Sequence, residues 1–358
     1  LWRAYKSGDV ETLLRVASWE GLPARDGWRQ RLWPVFLGLP ADPRLPLVQL
    51  PAGYWPCHGH VDQVDKDIPR SFTHFLTPAP GTPLDTLRKE EQKVLWRLVH
   101  YTLDRDKDLH YFQGFHELCS VLYLVLGEQV AYHAIFSLCQ HYIKDAMQPT
   151  IEPVQVLLEL LHPLLRQANP HLCQYLEDAD LQVFYALSWI ITWFSHVIDD
   201  LDMVCRLFDV LLAQPPSFVL YLSVALVDVR KTTLFETEYD SPVLHSTLQK
   251  VPPDIDLNGM IHLALDLQQR IPIYRLQQYA HVKLGRQLLY GRLEGVPFEM
   301  MEHALYDRAV EECGKELVAR EVSQRLVEIC EFRRTWIFVS VVILVIGTLA
   351  LLSPDWWW

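Results

Sequence analysis

Apolar segments with helical spacing, several of them separated by proline-containing breaks, constrain the fold of this chain most strongly. Within residues 87–103, for example, Leu95, Leu98 and Val99 fall on one stripe and the charged residues lie outside it. The same pattern predicts helices over residues 87–103, 115–126, 130–147, 151–167, 181–198, 201–213 and 217–229. Alternating strands joined by tight turns are missing from the pattern. The sequence therefore predicts an all-α, multi-helix fold.

Two regions depart from this pattern. Residues 36–60 contain five prolines, which exclude a continuous helix and indicate a connection between helices. Beyond about Tyr239, further prolines predict shorter helices, and residues 299–334 have the mixed polar and apolar character of a helical stalk.

A charge-free run follows the predicted stalk at residues 336–352. As a helix its 17 residues would span about 25 Å, near the short end of what crosses a bilayer. Tryptophans flank it on both sides, and Arg333 and Arg334 precede it, which predicts a single transmembrane anchor with the bulk of the chain cytosolic. The short span favours the thin endoplasmic reticulum membrane, with the Golgi as the alternative location. A buried core helix is the other interpretation of the run.

Composition argues against several classes of function. The net charge is −12, whereas a nucleic-acid binder usually carries a basic face. The seven cysteines are scattered without a C-x-x-C pair, which indicates reduced thiols. The cluster Cys57-His58-Gly59-His60-x-Asp62 has metal-ligand residue types, but adjacent ligands rarely face one ion, so we expect a solvated loop and no metal. No phosphate-binding P-loop motif is present, so we expect the chain to bind no nucleotide or cofactor of its own.

Three short motifs occur in one order along the chain. They are Arg29-x-x-x-Trp33, Val64-x-x-Asp67-x-x-Arg70 and Tyr111-x-Gln113-Gly114. Together they resemble the signature motifs of the TBC domain, the module of Rab GTPase-activating proteins. The stretches from Ser188 to Phe194 and from Arg206 to Asp209 resemble later helices of that domain. The resemblance covers residues 19–229 and is strongest to the members of the family that carry a C-terminal membrane anchor.

The resemblance implies a role for each motif residue. Arg70 would be an arginine finger and Gln113 a glutamine finger, both inserted into the active site of a GTP-bound Rab of early secretory traffic. GTP and Mg²⁺ would belong to that partner, and the chain would be an activator that supplies catalytic residues in trans. Asp67 would orient Arg70. The other supporting residues would be Tyr111, Gly114 for close approach of the partner, and Arg29 and Trp33 for structure.

The predicted organisation is an N-terminal segment (1–18), a TBC domain (19–235), a helical membrane-proximal region (236–334), the anchor (336–352) and a lumenal tail (353–358). The chain departs from the usual family pattern in two places: Val64 replaces isoleucine, and Ser71-Phe72-Thr73 follows the finger without the usual proline. One alternative is a catalytically silent, membrane-bound TBC scaffold that binds Rabs. Another is a helical membrane enzyme or transporter component that uses His196 with Asp199 and Asp200.

Overall fold

The structure, a computed structural model, describes residues 1–39, 45–76 and 83–280. Over these residues it contains helices and turns but no β-strand, which confirms the predicted all-α class. The predicted stalk, anchor and tail lie outside the described residues. Among the helices that are described, none combines the length and the apolar character that a membrane span requires.

Seventeen α-helices and two 3₁₀ helices occur in the described residues. In chain order they are α1 (Trp2–Ser7), α2 (Val10–Trp19), α3 (Trp28–Phe36), α4 (Val61–Asp67), the 3₁₀ helix Ile68–Arg70, α5 (Leu84–Arg105), α6 (Phe115–Leu126), α7 (Glu128–His141), α8 (Glu152–Leu158), α9 (Leu161–Ala168), α10 (Pro170–Asp178), the 3₁₀ helix Val183–Ala186, α11 (Leu187–Thr192), α12 (Leu201–Ala213), α13 (Phe218–Val229), α14 (Lys231–Glu236), α15 (Ser241–Gln249), α16 (Leu257–Arg270) and α17 (Ile273–Ala280).

The centre of the fold is formed by helices that are apolar on nearly every face. In α13 every residue from Phe218 to Val227 is buried, and α9, α11 and α16 pack around it. In α6 most residues are buried, and α5 and α7 pack against it. A helix that is hydrophobic all round can only be stable inside such a layer of neighbours. Helices α5 and α6 are thus part of the packed core, and the segments that contain Arg70 and Gln113 lie next to them in the sequence.

Local sequence signals located several helices well. The bounds predicted for α6 and α12 match the structure. Asp200 caps α12 by accepting a 2.8 Å hydrogen bond from the Met203 backbone N–H. The predicted connection between α3 and α4 contains no helix in its described part, residues 37–39 and 45–60.

The prediction of one continuous helix was wrong for two long segments. Residues 151–167 form α8 and α9 with a break at Glu159 and Leu160, because the Pro163 ring would clash with the carbonyl of Glu159 in a continuous helix. Residues 181–198 form a 3₁₀ helix and α11, after which Trp193 and Phe194 adopt positive φ values of 51° and 66° and reverse the chain.

Candidate functional site

Arg70 stands at the end of a short, stiff segment. Helix α4 ends at Asp67 and continues as the 3₁₀ helix Ile68–Arg70, in which Pro69 fixes the backbone φ angle. Ile68 is buried, whereas the Arg70 side chain is 63% exposed. The chain then becomes extended at Ser71. The guanidinium is therefore presented to solvent from a backbone that has little freedom.

Contacts on both sides of Arg70 hold this segment to the core. The Gln92 side chain on α5 donates hydrogen bonds of 3.0 and 3.3 Å to the carbonyls of Pro69 and Ser71. Phe72 is buried although its φ of 60° is unusual for a bulky residue, and its ring lies edge-on to Tyr123 on α6. Such a conformation persists only where the surroundings enforce it. The loop after Arg70 is therefore anchored without the proline that the family pattern usually has there.

Asp67 organises the site. Its side chain is fully buried and accepts hydrogen bonds from Arg70 Nη2, from Gln63 Nε2 at 3.2 Å and from the Tyr111 hydroxyl at 2.8 Å. Burial by itself would raise the pKa of Asp67, but the hydrogen bonds from Tyr111, Gln63 and Arg70 hold that pKa below its usual range. Asp67 is therefore a carboxylate at neutral pH, and it can only accept.

Through Asp67 the structure brings the second and third motifs together. Tyr111 belongs to the segment before α6, and its hydroxyl reaches Asp67 across 44 positions of sequence. Gln113 lies two residues further on and is exposed, without a hydrogen bond from its side chain to the rest of the described chain. Within the described residues, Arg70 donates a hydrogen bond only through its Nη2 atom. Both side chains thus keep donors that can bind a partner.

Gly114 allows the chain to turn directly after Gln113. Its φ is 104°, and a Cβ added there would lie 2.7 Å from the Thr192 Cγ2 atom. Any larger residue would meet both backbone strain and a clash. Thr192 ends α11, so the third motif rests directly on that helix. The predicted role of Gly114 was close approach of the partner, whereas the atom that it approaches in this structure belongs to the chain itself.

The first motif lies in the core. The guanidinium of Arg29 donates to the Asp209 carboxylate, with Nη2 3.0 Å from Oδ2, and the Trp33 indole N–H donates to Oδ1 at 2.8 Å. Trp33 and Asp209 are fully buried, and Asp209 also accepts from the Leu22 backbone N–H at 3.0 Å. Because a buried carboxylate needs such partners, these contacts fasten the N-terminal helices to α12. Arg29 and Trp33 therefore have a structural role in the core, away from solvent.

Four further residues support the site, and the sequence reasoning did not identify them. Gln63 has a detectable signal, because it lies four positions before Asp67 on the same helical face. Gln92 and Thr192 have no comparable signal, since they reach the site from other helices through tertiary packing. His116, whose Nδ1 atom lies 2.9 Å from the Tyr111 hydroxyl, belongs to the same contact network.

The other residues that the sequence singled out, the cluster at residues 57–62 and His196, contact nearby polar side chains of the chain. Cys57 Sγ lies 3.4 Å from an Asp104 oxygen, and His58 Nε2 lies 2.8 Å from His100 Nδ1. In the described part of the chain, no group of His, Cys, Asp and Glu side chains has the arrangement of a metal site. His196 pairs with Glu117 at 2.8 Å, not with the neighbouring aspartates.

This fold and these motifs define the class of the protein. The model of the Rab-GTPase-TBC domain family matches residues 26–235, and the chain belongs to that family, whose members accelerate GTP hydrolysis by Rabs.

Individual relatives agree with this assignment. The chain is 32% identical to human TBC1 domain family member 20 over 277 residues, which are 76% of this chain and 66% of that protein. The chain thus spans just under two thirds of that relative's length. It is 29% identical to the GTPase-activating protein gyp10 of Schizosaccharomyces pombe over 262 residues, covering 72% of this chain and 68% of the relative. The fold is similar to the crystal structure of the Chlamydomonas flagellar RabGAP TBC domain, with a TM-score of 0.56, 14% identity, and coverage of 74% of this chain and 89% of that one.

Proposed function

We propose that this protein accelerates GTP hydrolysis by a Rab GTPase, with Arg70 as an arginine finger and Gln113 as a glutamine finger. The observation that carries the proposal is the buried Asp67, which binds both Arg70 and Tyr111 and so links the segments that present the two side chains. Pre-organised donors of this kind lower the cost of reaching the transition state.

The chemistry assigned to each side chain follows from its donors. As GTP is hydrolysed, charge builds on the phosphoryl oxygens, and an arginine supplied in trans typically accelerates the reaction by about 10³–10⁵-fold. Arg70 has a permanent charge and a planar fork that can contact several oxygens together. Gln113 carries both a donor and an acceptor, which are the groups needed to orient one attacking water. GTP and Mg²⁺ are then supplied with the Rab.

A catalytically silent scaffold is the competing proposal. Such a protein would bind Rabs without needing an exposed, oriented arginine. Here the Arg70 side chain is exposed while its supporting carboxylate is buried, an arrangement that favours the catalytic role.

We further propose that the protein acts on Rabs of early secretory traffic from the endoplasmic reticulum membrane. The support is the charge-free run at residues 336–352, with Arg333 and Arg334 before it, together with the similarity to TBC1 domain family member 20. A glycosylation acceptor added after Trp358 tests this topology. Modification of the acceptor supports a lumenal tail, and an unmodified acceptor in a membrane-bound protein contradicts it.

Single-turnover GTP hydrolysis with a panel of purified Rabs tests the catalytic proposal. We expect one or a few Rabs to be stimulated, and Arg70→Ala to lower the stimulated rate by about 100-fold or more without loss of helicity. Arg70→Lys should be nearly as damaging, since a point charge does not reproduce the fork. Arg97→Lys is the matched control, because that arginine pairs with Glu128 on α7 and belongs to no finger motif. Full stimulation by Arg70→Ala would leave the scaffold as the better description.

A further inference from the structure

We propose that His116 is a positioning residue for this site, because it donates a hydrogen bond that locks the Tyr111 hydroxyl onto Asp67 and so keeps the two finger segments in register. The inference rests on the proposed function for its activity test, but the hydrogen-bond network on which it depends can be tested independently of catalysis. His116 lies in the first turn of α6, two residues after Gly114.

The direction of each hydrogen bond follows from the chemistry of its partners. Asp67 is ionised and can only accept, so the single proton of the Tyr111 hydroxyl points to Asp67 Oδ2, 2.8 Å away. The Tyr111 oxygen is then an acceptor toward His116 Nδ1, at 2.9 Å. The histidine must therefore carry a proton on Nδ1, and the network assigns this tautomer.

The other side of the imidazole agrees with this assignment. Glu117 Oε1 lies 3.8 Å from His116 Nε2, too far for a hydrogen bond to a neutral ring. Glu117 instead binds His196 Nδ1 at 2.8 Å, and this bond raises the pKa of His196. Glu117 is thus already engaged by His196. Burial lowers the pKa of His116 itself, which keeps its ring neutral with the proton on Nδ1.

Burial makes the His116 contact consequential. The His116 side chain is 7% exposed and that of Asp67 is fully buried. If His116 Nδ1 carried no proton, its lone pair would face the lone pairs of the Tyr111 oxygen, and no water could replace the missing hydrogen bond. Without the Nδ1 donor, the Tyr111 hydroxyl can rotate away from Asp67. Asp67 would then hold Arg70 without its link to the segment of Gln113. We expect a loss of turnover with little change in partner binding, because His116 is not on the exposed face.

Substitution of His116 by asparagine or by glutamine tests the roles of the two ring nitrogens separately. The Asn side-chain nitrogen stands close to the position of imidazole Nδ1, whereas the Gln nitrogen stands close to that of Nε2. For the full-length chain acting on a responsive Rab, His116→Asn should therefore keep kcat within about threefold of wild type. His116→Gln should lower kcat about tenfold, the factor that one hydrogen bond represents. The half-saturating Rab concentration should change by less than about twofold in both. His171→Gln, at an exposed position of α10, is the control.

A double-mutant cycle completes the test. If His116 acts through Tyr111, adding His116→Gln to Tyr111→Phe should cost no further stability in denaturant unfolding and no further kcat. Additive losses in unfolding free energy, or equal kcat for His116→Gln and wild type, would overturn the inference. A wild-type chain that stimulates no Rab would instead refute the proposed function, and the cycle in unfolding free energy would still decide the role of His116.

Discussion

Asp67→Asn is the sharpest test of how the arginine finger is held. The substitution keeps the shape of the side chain but removes its charge and turns one acceptor oxygen into a donor. In the structure, Oδ1 accepts from Gln63 and Arg70, and Oδ2 accepts from Gln63 and Tyr111. Whichever way the amide is oriented, its NH₂ group must face a side chain that also donates.

The expected magnitude follows from these contacts. A hydrogen bond to a charged group contributes about 1.5–3 kcal/mol. Because the Arg70 side chain is 63% exposed, we take the lower end of that range, about 1.5 kcal/mol, which corresponds to about tenfold in kcat. The facing donors at the buried position should in addition lower the unfolding free energy by about 1–3 kcal/mol.

The assay is GTP hydrolysis at saturating activator, with urea unfolding of the same preparations. Asp65→Asn is the matched control: this residue lies on the same helix, is half exposed, and binds Trp96 and His100 on α5. We expect the control to keep kcat within about threefold, because its contacts hold α4 and not Arg70. Equal loss of kcat in the two variants would refute the reasoning, since anchoring of α4 would then explain both.

Three other substitutions test separate parts of the structure. Gln113→Ala should lower stimulated hydrolysis by about 100-fold. The wild-type chain should still activate a Rab whose own catalytic glutamine is replaced. If that mutant Rab resists activation, the Rab and not Gln113 positions the water. Gly114→Ala should cost about 1–3 kcal/mol of unfolding free energy. The cost should exceed that of Gly53→Ala, where φ is also positive, at 75°, but the space around the residue is open. Equal costs would exclude the clash. Burial lowers the pKa of His100 from 6.5 to about 4, so its contribution to stability is complete above pH 6.5 and is lost as the pH falls toward 4. Between pH 7.5 and pH 5 the titration of His100 should remove about 2 kcal/mol of unfolding free energy, and His100→Gln should reduce the difference measured by urea unfolding by that amount. An unchanged difference would contradict this.

Sequence signals were sufficient where the decisive chemistry is local. The ends of α6 follow from Gly114 and Gly127, and the pairing of Asp67 with Arg70 follows from their spacing of three residues. The break between α8 and α9 is also encoded locally, since Pro163 specifies it.

The contacts that complete the site were beyond reach of the sequence. Tyr111 meets Asp67 across 44 positions, and Thr192 meets Gly114 from a different helix. Helical periodicity states which face of a helix is buried, but it does not state which neighbour lies against that face or at what height. The partners of Asp67 other than Arg70 and Gln63 therefore emerged only from the packing.

The attachment of the N-terminal helices to Asp209 has a consequence for how the chain folds. The contacts of Arg29 and Trp33 with Asp209 span 180 and 176 positions, and Arg206 on α12 binds the Ala17 carbonyl across 189. Contacts this distant form slowly, because the entropy of closing the loop is lost before they contribute. During synthesis, α2 must wait for α12 to leave the ribosome, with its apolar face uncovered, because α12 is the helix on which α2 mainly packs. In refolding, pulsed hydrogen exchange should show amides of α2 becoming protected together with those of α12. Early protection of α2 alone would exclude this order.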